Sequence, residues 1–190
     1  MLELVDYGGG NLGSLQRCLQ RLELAYRLTD APSGEVPLVL PGVGAFGAVA
    51  RGLAEGGLDA RVKAVVKEGV PFLGICVGLQ ILLDSSQESP AVTGLGLIPG
   101  EVVRFQARKV PQIGWNKVTS PQGWPEGFVY FVNSYYAVPT RYEDVLYEAD
   151  YEGRFCAAVR RDNLCAFQFH PEKSGEFGHQ LLLRWAEEAI

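Results

Sequence analysis

Histidine is nearly absent from this 190-residue chain, occurring only at His170 and His179. Any mechanism that needs an imidazole therefore has two candidates. Cysteine is scarce as well. Cys18, Cys76, Cys156 and Cys165 include no pair at C-x-x-C spacing, which removes the signature of a zinc or dithiol centre, and no metal is expected. They read as free thiols of a reducing, cytoplasmic protein. A basic excess is also missing, since 17 Lys and Arg stand against 22 Asp and Glu for a net charge of -5. That balance argues against nucleic acid as the main partner, because a phosphate-binding surface needs surplus positive charge. No apolar run approaches the roughly 18 to 20 residues of a membrane span. The N-terminal stretch carries Glu3 and Asp6 instead of the basic segment of a secretory leader, so neither membrane nor export is expected. The glycine run Gly8–Gly10 lacks G-x-G-x-x-G spacing and a Walker lysine, so it gives no ground for a nucleotide cofactor, and none is expected.

What the chain does contain is a regular alternation. The chain is 47% hydrophobic and 21% charged, the composition of a globular fold. "LELVDY" reads as a strand running into the glycines, and Leu12, Leu15, Leu19 and Leu22 then recur at helical spacing. "AYRLT", "VPLVLPG" and "PFLGI" read as the second, third and fourth strands. Helical character lies between the last two from Leu58 onward and follows the fourth over Gly78–Asp84. From Gly94 the pattern changes to short β-like runs, including "EVVRF" and "FVYFVN". Two hairpins then turn near Tyr151–Arg154 and Arg160–Asn163, and a final helix carries Leu181, Leu182, Leu183 and Trp185. The expectation is an α/β fold: a doubly wound, mainly parallel sheet with helices on both faces and a β-rich second half, in one domain spanning 1–190.

Three stretches carry candidate chemistry. In "GICVGLQ" an apolar strand ends at Cys76 and a helix begins, with Gly74 and Gly78 on either side. Strand, nucleophile, helix is the layout of a nucleophile elbow, with cysteine in the place of serine. The helix start also offers N–H groups and a dipole that favour a thiolate. A small buried hydrophobe is the ordinary alternative for a cysteine. In "CAFQFHPEKS" His170 ends an apolar strand and Glu172 follows two residues on, an imidazole with a carboxylate to fix its tautomer. Taken alone, that pair also suits a capping histidine beside a solvated glutamate. In "LVLPGVGAF" a strand ends in Pro-Gly-x-Gly and exposes backbone N–H groups of the kind an oxyanion hole needs, though a simple turn has the same letters.

Taken in order, "PGVGAFG", "GICVGLQILL" and "FQFHPEKSG" resemble the class I (triad) glutamine amidotransferases. "YGGGNLGSL", "VPQIGWNKV" and "FVNSYY" extend the likeness to the whole chain. They draw it toward the branch whose ammonia passes to a (β/α)8-barrel cyclase in histidine biosynthesis. The resemblance implies L-glutamine as substrate, with Cys76 as nucleophile, His170 as general acid and base and Glu172 orienting it. It implies an oxyanion hole from Val43, Gly44 and Val77, and glutamine contacts from Gly42, Gln80, Ser134 and Tyr135. Asn11, Trp115, Asn116 and Lys173 are the candidates for a face that docks the cyclase. Two positions depart from the family, which often has histidine where this chain has Gln112 and Asn133. A glutaminase feeding another synthase, such as one making pyridoxal phosphate, and a non-catalytic regulatory subunit are the alternatives at this point.

Overall fold

A computed structural model of the chain describes residues 1–9 and 12–190. Strands β1 (Leu2–Val5), β2 (Tyr26–Thr29), β3 (Leu38–Gly42) and β4 (Phe72–Cys76) form a parallel set in the order β2-β1-β3-β4. The connection from β1 to β2 carries helix α1 (Gly13–Arg21), and that from β3 to β4 carries α2 (Phe46–Ala54) and α3 (Leu58–Lys67). These two crossovers run in opposite directions along the sheet. Right-handed crossovers of opposite direction lie on opposite faces, so the helices cover both sides. Burial follows the apolar spacing, with Leu15, Cys18 and Leu19 inward on α1, and Leu58, Val62, Val65 and Val66 inward on α3. Gly56 and Gly57, both at positive φ, break the chain between α2 and α3.

The second half joins the same sheet from its other edge. After β5 (Ser85–Ser86) and β6 (Gly100–Arg104) come β7 (Gln112–Val118), β8 (Gly127–Asn133) and β9 (Tyr135–Pro139). Then follow β10 (Val145–Asp150), β11 (Arg154–Arg161) and β12 (Leu164–Phe167). The sheet continues from β4 as β12-β11-β9-β6-β5, with β10 also paired to β11. The β11 pairings to β9, β10 and β12 and the β6–β9 pairing are antiparallel. β12 alone crosses the seam in parallel, with Phe167 opposite Ile75 of β4. That single pairing places the residues after both strands on the same edge. Strands β7 and β8 stand apart as a two-stranded antiparallel sheet, and helix α5 (Gly175–Ala189) ends the chain. The sequence pattern showed "FVYFVN" as a strand but not its partner "QIGWNKV".

One helix is shorter than its sequence suggests. The segment after Cys76 is helical only over α4 (Val77–Gln80), not to Asp84. The loop that returns at 94–98 explains this. Leu95 N–H donates to the Ile81 carbonyl, Leu97 and Ile98 to Leu82, Gly96 to Leu83 and Gly94 to Asp84. Tertiary donors thus take the carbonyls that a longer helix would leave at its C-terminal end.

A candidate cysteine–histidine–glutamate site at the sheet seam

Cys76 is the last residue of β4 and has φ 56 and ψ -111, a conformation that L-residues avoid and that costs about 1–3 kcal/mol. Its surroundings enforce it. A Cβ at Gly42 would meet the Gly78 nitrogen and Val77, one at Gly78 would meet the Leu40 carbonyl, and one at Gly74 the Gly78 carbonyl. Backbones of β3, β4 and the start of α4 therefore touch with nothing between them, and the turn at Cys76 has one shape available. The thiol is buried beside Gln168, whose side-chain N–H lies 3.8 Å from Sγ.

His170 follows β12 by three residues on the same edge of the sheet, and its side chain lines the same cavity as Cys76. Pro171–Lys173 makes one 3-10 turn, which folds Glu172 back toward the ring it follows. Glu172 Oε1 lies 2.8 Å from His170 Nδ1, both side chains being buried. Burial alone would lower the imidazole pKa. Hydrogen bonds to Cys76 and Glu172, with the negative charge of both, overcome it and push it up to about 9. The resting imidazole is thus cationic at neutral pH, a proton donor with a sulfur on one side and a carboxylate on the other. His179 is a different case: it stands half-buried on α5 and shares a separate cavity with Arg17, Arg21, Lys173 and Glu172, and it does not line the cavity over the thiol.

A cavity of about 420 Å³ opens over the thiol. Val43, Gly44, Val77, Gln80, Ser134 and Tyr135 all line it, along with Cys76, His170 and Lys173. Gly44 sits at φ 93, where glycine is at home. Gly42 is not among the lining residues: it lies buried under the elbow and serves close packing. Gln80 is braced, its side-chain N–H groups donating to the Tyr135 carbonyl (3.1 Å) and Gln168 Oε1 (3.0 Å). The Tyr135 carbonyl also accepts from Asn133 Nδ2, and the Ser134 carbonyl accepts from Phe105 N–H. The Tyr135 carbonyl thus accepts two hydrogen bonds from the protein, whereas the Ser134 carbonyl accepts one and keeps a second lone pair.

Sequence reasoning missed two residues here. Gln168 is fully buried in the apolar run "AFQFH", and a polar letter in such a run was the available signal. Glu88 lines the cavity while its Oε2 accepts the Phe46 N–H (2.6 Å) at the start of α2. It lies in the polar stretch "SSQES", where nothing local separates it from a solvated loop. Gln112 and Asn133, the two departures from family histidines, turn out to be cross-strand partners, both buried. The double replacement changes a single environment, and Asn133 brings it into the cavity wall.

The docking candidates separate. Asn11 lies outside the described residues. Lys173 is exposed at the cavity rim. Trp115 is 58% exposed, and it shares one face of the β7–β8 sheet with Ile113 (59%), Phe128 (59%) and Val132 (38%). Asn116 is one residue on and so points to the other face, where its side chain donates to the Asp150 carbonyl (2.7 Å). It does not belong to the Trp115 face. Among the described residues no group of three or more His, Cys, Asp or Glu side chains could hold a metal, and no helix is long and apolar enough to cross a membrane.

Comparison with known proteins agrees with this geometry. Residues 3–188 match the family described as Glutamine amidotransferase class-I. The imidazole glycerol phosphate synthase subunit HisH of Moorella thermoacetica is 44% identical, over 98% of this chain and 94% of its own. That of Thermus thermophilus is 45% identical over 92% and 91%. A solved structure described as a glutamine amidotransferase superposes with a TM-score of 0.79, covering 97% of this chain and 98% of its own at 21% identity, which speaks for the fold. The chain belongs to the class I glutamine amidotransferases, within the family of imidazole glycerol phosphate synthase HisH subunits.

Proposed function

We propose that this chain, as one domain over 1–190, is the glutaminase subunit of imidazole glycerol phosphate synthase. The observation that carries the reading is the line from Cys76 through His170 to Glu172 across the β4–β12 seam. In the reaction, Cys76 Sγ attacks the side-chain carbonyl carbon of L-glutamine. Backbone N–H groups of Val77 and the Val43–Gly44 segment receive the oxyanion. The His170 imidazolium gives its proton to the departing amide nitrogen, so ammonia leaves and a glutamyl thioester remains. The neutral imidazole then takes a proton from water, whose oxygen attacks the thioester, and glutamate leaves as the thiolate and imidazolium re-form. Glu172 holds the ring in register throughout. Glu88 is the cavity carboxylate suited to the substrate's α-ammonium group.

The ammonia goes to a (β/α)8-barrel cyclase, which uses it to form imidazole glycerol phosphate and aminoimidazole carboxamide ribotide. The exposed Ile113, Trp115, Phe128 and Val132 face, beside Lys173, is the surface we assign to that partner, an apolar patch with a charged rim. Four buried free thiols suit the cytoplasm as the place of work. The test is a pull-down with a candidate cyclase, followed by glutaminase assay with and without the cyclase's nucleotide ligand. Low activity alone and strong stimulation in the complex are expected. Full activity alone, unchanged by any cyclase, would overturn the reading.

A further inference from the structure

Three hydrogen bonds join one residue of the β7–β8 sheet to the backbone of His170. The His170 N–H donates to the Tyr130 carbonyl (3.0 Å), and the Tyr130 N–H donates to Ser174 Oγ (2.9 Å). The Ser174 hydroxyl in turn donates to the His170 carbonyl (2.6 Å). Tyr130 pairs with Trp115, and its own N–H and C=O are both taken by the 170–174 segment. Ser174 is buried, and its single oxygen serves two backbones at once. There is little space for it to move, because a Cβ at Gly178 would lie 2.5 Å from Ser174 Cβ. Helix α5 also presses on β8, where a Cβ at Gly127 would lie 2.7 Å from the Phe177 ring. On the outer side, Trp115 packs edge-on to Tyr130 with ring centroids 6.0 Å apart.

We propose that Ser174 is a positioning residue that makes the β7–β8 sheet and His170 one mechanical unit, so that a partner seated on the Trp115 face sets where the imidazole stands relative to Cys76. The proposal rests on the glutaminase reading above for its consequence, but the clamp itself can be tested without it. A carbonyl and an N–H fixed by the same hydroxyl cannot shift independently, and buried backbone groups do not forgo partners. A displacement of β8 at Tyr130 therefore carries His170 with it. An ångström at a reacting group changes rate steeply.

Ser174→Ala removes the hydroxyl and leaves the rest of the chain intact. In the isolated variant, amide hydrogen exchange at Tyr130 and His170 should accelerate together by about tenfold or more, while amides of β4 keep their protection. With the cyclase bound, kcat for glutamine should fall about tenfold with KM within about twofold. Ser174→Cys fills the same space with a poor donor, and should give the same two results if the alanine variant proves too unstable to purify. Wild-type exchange at either amide would overturn the clamp. A loss expressed in KM alone would overturn its action at His170. If wild-type protein shows no glutaminase activity with any cyclase, the functional reading fails while the exchange experiment still decides the clamp.

Discussion

The two halves of the sheet hold their contributions to the site by different physics. In the parallel half, β3 and β4 are buried on both faces, and Cys76 is presented by steric contact: three glycines, touching backbones and a strained φ. In the antiparallel half, His170 and Glu172 are presented by hydrogen bonds, to each other, to Tyr130 and to Ser174. Sterics give a position that cannot adjust without unfolding something. Hydrogen bonds give one that can be tuned by whatever touches their far end. If a partner switches this site on, as proposed above, a rigid nucleophile and an adjustable proton carrier suit that control.

The contrast predicts how each half breaks. Cys76→Ala should abolish glutamine hydrolysis in the assembled complex, a loss of about 10⁴-fold or more, since a triad works as a unit. Cys76→Gly should lose the same activity yet keep or raise the melting temperature, because glycine accepts φ 56 without strain. A melting temperature well below wild type would show that no strain is stored there. Gly78→Ala is the next largest effect, and it is structural. Its methyl would meet the Leu40 carbonyl, a rigid neighbour, so a loss of about 3 kcal/mol or more is expected, read as a fall of roughly 6–12 °C in thermal unfolding. In the hydrogen-bonded half, Glu172→Gln should keep the fold and cost about 10²-fold in kcat, less than removing His170 itself. A loss equal to that of His170→Ala would mean that Glu172 does more than orient the ring.

The same division governs what could be read from the sequence. The centre of the parallel half was legible because "LVLPG" and "PFLGI" are near-continuous apolar runs, and its elbow is local: Cys76 and both flanking glycines lie within five letters, Gly74–Gly78. "FHPE" was legible for the same reason, two residues apart on one turn. What escaped depends on the pairing of distant segments. β7 alternates Ile113, Trp115 and Lys117 outward against Gln112, Gly114, Asn116 and Val118, a pattern that is polar on neither face consistently. Its partner could not be named from its own letters. Asn116 and Trp115 are adjacent in "GWN", and adjacency in a strand means opposite faces, so a single face of β7 does not hold both. Glu88 reaches the cavity only because the loop after α4 folds back, and the residues 94–98 that shorten α4 do so through tertiary bonds.

The smallest predicted effect probes the seam itself. His170 titrates near 9 instead of its ordinary 6.5 because charge and hydrogen bonds from Cys76 and Glu172 outweigh its burial. Its folded pKa is raised, so the stability it lends is fully present below about pH 6.5 and is lost as pH rises through about 9. With only two histidines, the imidazole signals of His170 and His179 can be followed separately by NMR across that range. Cys76→Ser leaves the shape of the elbow but replaces the sulfur beside the ring with a hydroxyl. The His170 midpoint should then fall by about one unit or more. Glu172→Gln should lower it as well, from the other side of the ring. If the Cys76→Ser midpoint remained near 9, Glu172 alone would account for the cation, and the two halves of the sheet would be neighbours at the seam without being electrostatically coupled across it.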